Sequence, residues 1–245
     1  MAAHGRNAPA GHDRGAPGVV DDGDGRGQFG AAWPHGKDGM QQFVDGGFRG
    51  GQVACGAARL QWLAAGQGEL VIDLVPGAAP TRFHALLAER FRVATLDVPA
   101  TGDAAPAGLA AALGDVAAAA GQPRCSLVVR GAALPLAVQA LRERPGLVEA
   151  LVVLAPPPAD EAALDALSAA ALPLLVLSGT RGTASPPEAG SPYRARVRGS
   201  HYVLVYDAGD AIDADRPEAT ASVAGDFLAR RERFIIANAS GLIHP

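Results

Sequence analysis

From about Gly51 onward, short and nearly continuous apolar runs alternate with stretches of helical periodicity, and this alternation limits the architecture more than any other feature. The runs Leu70–Val75, Arg92–Asp97, Ser126–Val129, Ala150–Leu154, Leu174–Leu177 and Tyr202–Tyr206 read as strands. Thr81–Arg90, Gly108–Ala120, Leu134–Arg144, Glu161–Ala171 and Pro217–Arg231 read as helices, with Thr81 as an N-cap. Gln52–Leu63 reads as one or two further strands with a turn at Gly56. Strands without polar alternation, separated by helices, imply a mostly parallel sheet covered on both faces. We therefore expect an α/β three-layer sandwich, with ligands beyond the carboxyl ends of the strands.

Before residue 51 the texture differs. The first 50 residues hold 13 of the 31 glycines and sustain no period of 2 or 3.6. Such a segment buries too little apolar area to offset its ordering entropy. Yet it carries Phe29, Trp33, Phe43 and Phe48. These aromatics anchor the arm on its own domain or on another subunit, unless the arm is disordered. Beyond the last helix, Phe234, Ile235 and Ile236 begin an apolar tail that calls for a docking place. The expected division is an arm over 1–50, a core over 51–233 and a tail over 234–245. A protein partner or homo-oligomer is expected to use arm and tail.

A net charge of −4 supplies no basic face for nucleic acid. No run of about 18 apolar residues spans a membrane, and no signal-peptide core precedes the domain, so a cytoplasmic location is expected. Two cysteines, Cys55 and Cys125, are too few for a disulfide framework, and Cys125 reads as a buried thiol. The six histidines form no metal pattern, so neither a metal nor a cofactor is expected. His84 reads as a surface or interface residue and His201 as a loop residue. Asp73 interrupts an apolar strand and must be paired, exposed at an edge or functional; pairing with an arginine is the plainest reading.

Several segments, in order, resemble the α/β-hydrolase superfamily over about 51–231. They are Leu86-Leu87-Ala88-Glu89-Arg90-Phe91-Arg92-Val93, Asp97-Val98-Pro99, the stretch from Pro145 to Pro156, Pro173–Gly179, Val205-Tyr206-Asp207-Ala208-Gly209 and the closing helix. The resemblance implies an α/β-hydrolase-like fold. Only about 17 residues separate Pro156 from Pro173, which implies that no cap domain is present.

The positions where that family keeps its chemistry differ. Its G-x-S-x-G turn, which exposes a nucleophilic serine, falls on Gly131-Ala132-Ala133-Leu134-Pro135, with Ala133 at the nucleophile. No serine lies within five residues of Ala133. The acid position falls on Gly182, with Asp160 as a conceivable substitute, and the base position on Asp210. An aspartate with a reference pKa of about 3.9 is a weak base unless burial raises it. The oxyanion loop falls on Leu74 and Val75, followed by Pro76, which has no N–H. Removing a triad costs on the order of 10⁶ in rate. The pattern implies a pseudoenzyme acting as an accessory or structural subunit. Two alternatives stand beside it. One is a small-molecule binding module in a remnant pocket near Ala133 and Leu74, with Arg130, Arg181, Asp73 and Asp210 as ligand contacts. The other is a hydrolase- or lyase-like enzyme rewired around Asp210 or Asp73.

Overall fold

A computed structural model describes residues 43–44, 47–77, 79–99, 108–235 and 242–243. Its strands are β1 (Phe43–Val44), β2 (Phe48–Cys55), β3 (Ala58–Ala65), β4 (Leu70–Val75), β5 (Arg92–Asp97), β6 (Cys125–Arg130), β7 (Val148–Leu154), β8 (Leu174–Gly179), β9 (Ser200–Val205) and β10 (Leu242–Ile243). They form one sheet in the order β1-β2-β3-β5-β4-β6-β7-β8-β9-β10. The block from β5 to β10 is parallel, while β1, β2 and β3 join it antiparallel. Gly56, at φ +57°, makes the tight turn from β2 to β3 that an L side chain resists.

The strands are apolar on both faces because both faces are covered. Every residue of β4 and of β8 is buried. Alternate side chains enter two cores. Leu70, Ile72 and Leu74 pack with α2 (Leu109–Ala119), α3 (Leu134–Glu143), α4 (Glu161–Ala170) and α5 (Ser191–Arg196). Val71 and Val128 pack on the other side with α1 (Arg82–Ala88), α6 (Ile212–Asp215) and α7 (Pro217–Arg230). The result is a three-layer α/β sandwich, and among the described residues no cap domain lies between β7 and α4.

Differences from the sequence reading are local. The sheet begins before Gly51, since Phe48 opens β2. The short helices α5 and α6 were not foreseen; at six and four residues they are too brief to show a period. His84 is not at the surface: it is 0% exposed and sits under α1 against the sheet. His201 is not in a loop: it is the second residue of β9, packed edge-on against Phe227 and Phe234. Burial, with Arg194 adding to it, holds its imidazole below the usual histidine range.

Two residues read as contact anchors are used by the chain itself. Phe48 is fully buried in β2, and Phe234 is buried against His201 and Phe227. Neither is open to a partner. Ile235 is 78% exposed. Phe29, Trp33, Ile236 and the side chain of Phe43 lie outside the described residues. Among the described residues no helix is long and apolar enough to cross a membrane, and no group of three His, Cys, Asp or Glu side chains is placed to hold a metal.

Candidate functional site

The carboxyl ends of β4, β6, β8 and β9 bring the candidate positions to one rim. Cys125–Arg130 runs into a single 3₁₀ turn, Gly131–Ala133, which leads directly into α3. Ala133 has φ −94° and ψ 1°, and Arg130 before the turn has φ −81° and ψ 153°. No residue from Val128 to Pro135 has positive φ. A nucleophile elbow is a strained strand-to-helix turn that thrusts its side chain outward. Here the backbone is relaxed, whichever residue of the turn is aligned with the nucleophile. Ala133 is 5% exposed and offers a methyl group.

Backbone packing closes the turn from the other side. A β-carbon on Gly131 would collide with the Ala155 carbonyl oxygen. Ala155, just past β7, is itself at φ +49°, a left-handed conformation that costs a non-glycine residue roughly 1 kcal/mol. Likewise, a β-carbon on Gly179 would collide with the carbonyls of Ala208 and Gly209. At these two strand ends main chain packs directly against main chain.

Asp210 is fully occupied. Its Oδ1 accepts from the backbone N–H of Ser185 at 2.8 Å, of Thr183 at 3.1 Å and of Ala184 at 3.1 Å, and its Oδ2 from the Thr183 hydroxyl at 2.9 Å. The Ser185 and Ala184 amides lead in holding its carboxyl down at about 2. Such a carboxylate is a hydrogen-bond acceptor for one loop and a very weak base. Gly182 lies beside it: a β-carbon there would stand 3.1 Å from Oδ1. The presumed acid and base segments thus meet, but the carboxylate belongs to the second and clamps the first.

The loop after β4 is also tied down. Leu74 and Val75 are buried strand residues. The Gly77 N–H donates to Asp97 Oδ1 at 2.6 Å, so the first amide after Pro76 already has a partner. Arg181 turns away to the surface, donating to the Asp207 backbone oxygen at 2.8 Å and pairing with its carboxylate at 3.2 Å.

Beneath the rim, on the α1 and α6 side, four ionisable residues from four elements meet. Asp73 of β4 is 1% exposed and accepts two bonds from Arg130 Nη1, at 3.0 and 2.9 Å. Arg130 Nη2 also donates to Asp213 of α6. His84 Nε2 lies 2.8 Å from Asp73 Oδ2. The Thr81 backbone N–H donates to His84 Nδ1 at 2.9 Å, so Nδ1 is the unprotonated nitrogen and Nε2 gives its hydrogen to Asp73. Burial pushes the Asp73 carboxyl up, but Arg130 and then His84 outweigh it and hold it below the usual range. Burial pushes Arg130 down, and Asp73 with Asp213 more than restore it.

The structure therefore brings Arg130 and Asp73 together, while Arg181 pairs with Asp207 and Asp210 with the Thr183–Ser185 loop. Sequence reasoning missed His84 in this cluster. The available signal was its place three residues after Thr81, where a side chain folds back on the N-cap amide. The arrangement can cross-link β4, β6, α1 and α6; it places no free nucleophile beside a free base.

No protein-family model matches the sequence, and no curated protein matches it. Solved structures match its fold. A thermophilic esterase from Thermogutta terrifontis superposes with a TM-score of 0.59 at 14% identity, over 75% of this chain and 99% of that one. A structure described as a predicted CIB-like hydrolase from Thermoplasma acidophilum superposes with a TM-score of 0.58 at 15% identity, over 77% and 99%. A carboxylesterase from Bacillus subtilis gives 0.57 at 16%, over 74% and 91%. With these likenesses and the strand order above, the chain has the α/β-hydrolase fold.

Proposed function

We propose that this protein is a non-catalytic member of the α/β-hydrolase fold that serves as an accessory or structural subunit of a larger assembly. The observation that carries the reading is the turn between β6 and α3, where a methyl group sits on a relaxed backbone in place of an exposed hydroxyl on a strained one. Acyl transfer needs a nucleophile, a base within hydrogen-bond reach and donors for the developing oxyanion. Ala133 supplies no nucleophile, Asp210 is engaged by Thr183–Ser185, and Gly77 N–H is engaged by Asp97. An enzyme rewired around Asp210 or Asp73 is disfavoured by the same bonds, since both carboxylates are ionised and saturated. A subunit role accords with Ile235, exposed where the chain leaves its last described helix.

Two measurements test the reading. The purified full chain is expected to turn over activated esters no faster than the same protein heat-unfolded. Saturable turnover that is lost on Asp210→Ala, with the fold intact, would instead support the rewired enzyme. Light scattering on the protein isolated from its native source is expected to show an assembly, and a lone monomer would remove the subunit role.

A further inference from the structure

A cavity of about 430 Å³ lies beside the rim, between α3 and the start of α4. Ala133, Arg130, Asp210 and Leu74 do not line it, so it is not the remnant pocket expected from the sequence. Its position still follows the rule for open α/β sheets, because its walls start at the carboxyl ends of β6 and β7. The volume lies within the range of about 300–1,000 Å³ typical of small-ligand sites.

The wall is mainly apolar, built from Leu134 and Val138 of α3 and from Pro157 and Pro158 after β7. Tyr193 of α5 also lines it while only 1% exposed. Its hydroxyl donates to Pro157 O at 3.3 Å, long for a bond of that kind, and keeps its lone pairs to accept another donor. Two charged side chains complete the lining. The carboxylate of Asp160 is engaged, because its Oδ2 caps α4 through the Ala163 N–H at 3.0 Å. Arg142 is not balanced in this way. It gives one Nη2 hydrogen to Ala162 O at 3.0 Å and has no carboxylate partner among the described residues.

We propose that this cavity binds a small monocarboxylate with an apolar body. The guanidinium of Arg142 holds the carboxylate, and the body lies against Val138, Leu134 and Pro157. A neutral apolar molecule would use only the apolar wall and make nothing of the Arg142 N–H groups that point to solvent. A phosphate dianion would meet Asp160 and have a single arginine to balance it. A carboxylate satisfies both conditions through the fork geometry of arginine. This assignment stands apart from the accessory-subunit reading and holds whether or not the chain assembles.

The test is titration of the full chain with sodium octanoate, followed by calorimetry and by amide chemical shifts, with 1-octanol as the uncharged probe. Octanoate is expected to saturate one site with Kd of about 1 mM or tighter. Arg142→Gln, on an exposed position, is expected to weaken octanoate about tenfold and leave octanol unchanged. Ala162→Trp, at an exposed position on the cavity's edge, is expected to block both probes without lowering Tm. Equal binding of octanol and octanoate, octanoate binding indifferent to Arg142→Gln, or no saturation by either probe on the folded chain would overturn the proposal.

Discussion

Asp73 on β4 and His84 on α1 meet at 2.8 Å with neither exposed to solvent. A carboxylate in a parallel sheet is tolerable only with its bonds filled, and Arg130 and His84 fill them. The cluster ties ionisable groups near the rim to one another: each group is the partner of another.

Removing the arginine should therefore be costly. Arg130→Met leaves Asp73 buried without its guanidinium and is expected to lower unfolding free energy by about 3–5 kcal/mol. The exposed pair Arg82–Glu218 is the control: Arg82→Ala is expected to change stability by less than about 1 kcal/mol. Urea unfolding of both variants checks the contrast.

Asp210 supplies a pH dependence of defined sign. Its folded carboxyl sits at about 2, below the reference value of 3.8. A depressed acid contributes stability that is fully present above about pH 4 and is lost as pH falls through 2. Asp73, also depressed, acts in the same direction. Amide shifts of Thr183, Ala184 and Ser185 are expected to titrate together with a midpoint near pH 2, and Asp210→Asn is expected to abolish that step while leaving the rest of the acid response.

The closed gap between β6 and β7 predicts intolerance at Gly131. Its missing β-carbon is required by the Ala155 carbonyl, a backbone atom that cannot swing aside. Gly131→Ala is expected to cost about 1–3 kcal/mol by thermal unfolding. Gly146→Ala makes a useful comparison, since a β-carbon there meets nothing within 4 Å, although its φ of +83° still strains any side chain.

The thiols should be silent in the native state. Burial pushes Cys125 up to about 12, and Cys55 is raised as well. Both are expected to react with a disulfide reagent only as fast as the protein opens, and to react fully in denaturant.

Much of this was legible in the chain. The central strands are nearly continuous runs of Val and Leu because both faces of the sheet are covered, so Leu70–Val75 and Arg92–Asp97 could be placed to the residue. Asp73 stood out for the same reason, as the single charge in an apolar run. What was not legible depended on contacts distant in sequence. His84 is separated from Arg130 by 46 residues and shares with it only a neighbour, Asp73, that neither approaches along the chain. Periodicity on a seven-residue helix does not say whether a histidine faces solvent or the sheet. Asp210 could be placed at the base position, but its three amide donors come from a loop about 25 residues earlier, and only folding brings them together. For Phe48 and Phe234 the sequence left open whether their own domain or a partner covers them, because an isolated aromatic in a weakly patterned segment carries no sign of what covers it.

The most direct test of the central claim is to put a hydroxyl back. Ala133→Ser restores the missing atom but not the strained turn, a free base or an unoccupied oxyanion amide. Treated with a fluorophosphonate, that variant is expected to remain unlabelled by intact-protein mass spectrometry, as the parent chain does. Stoichiometric phosphonylation at position 133 would contradict the account, because it would mean that the surroundings of the turn are still those of a working nucleophile.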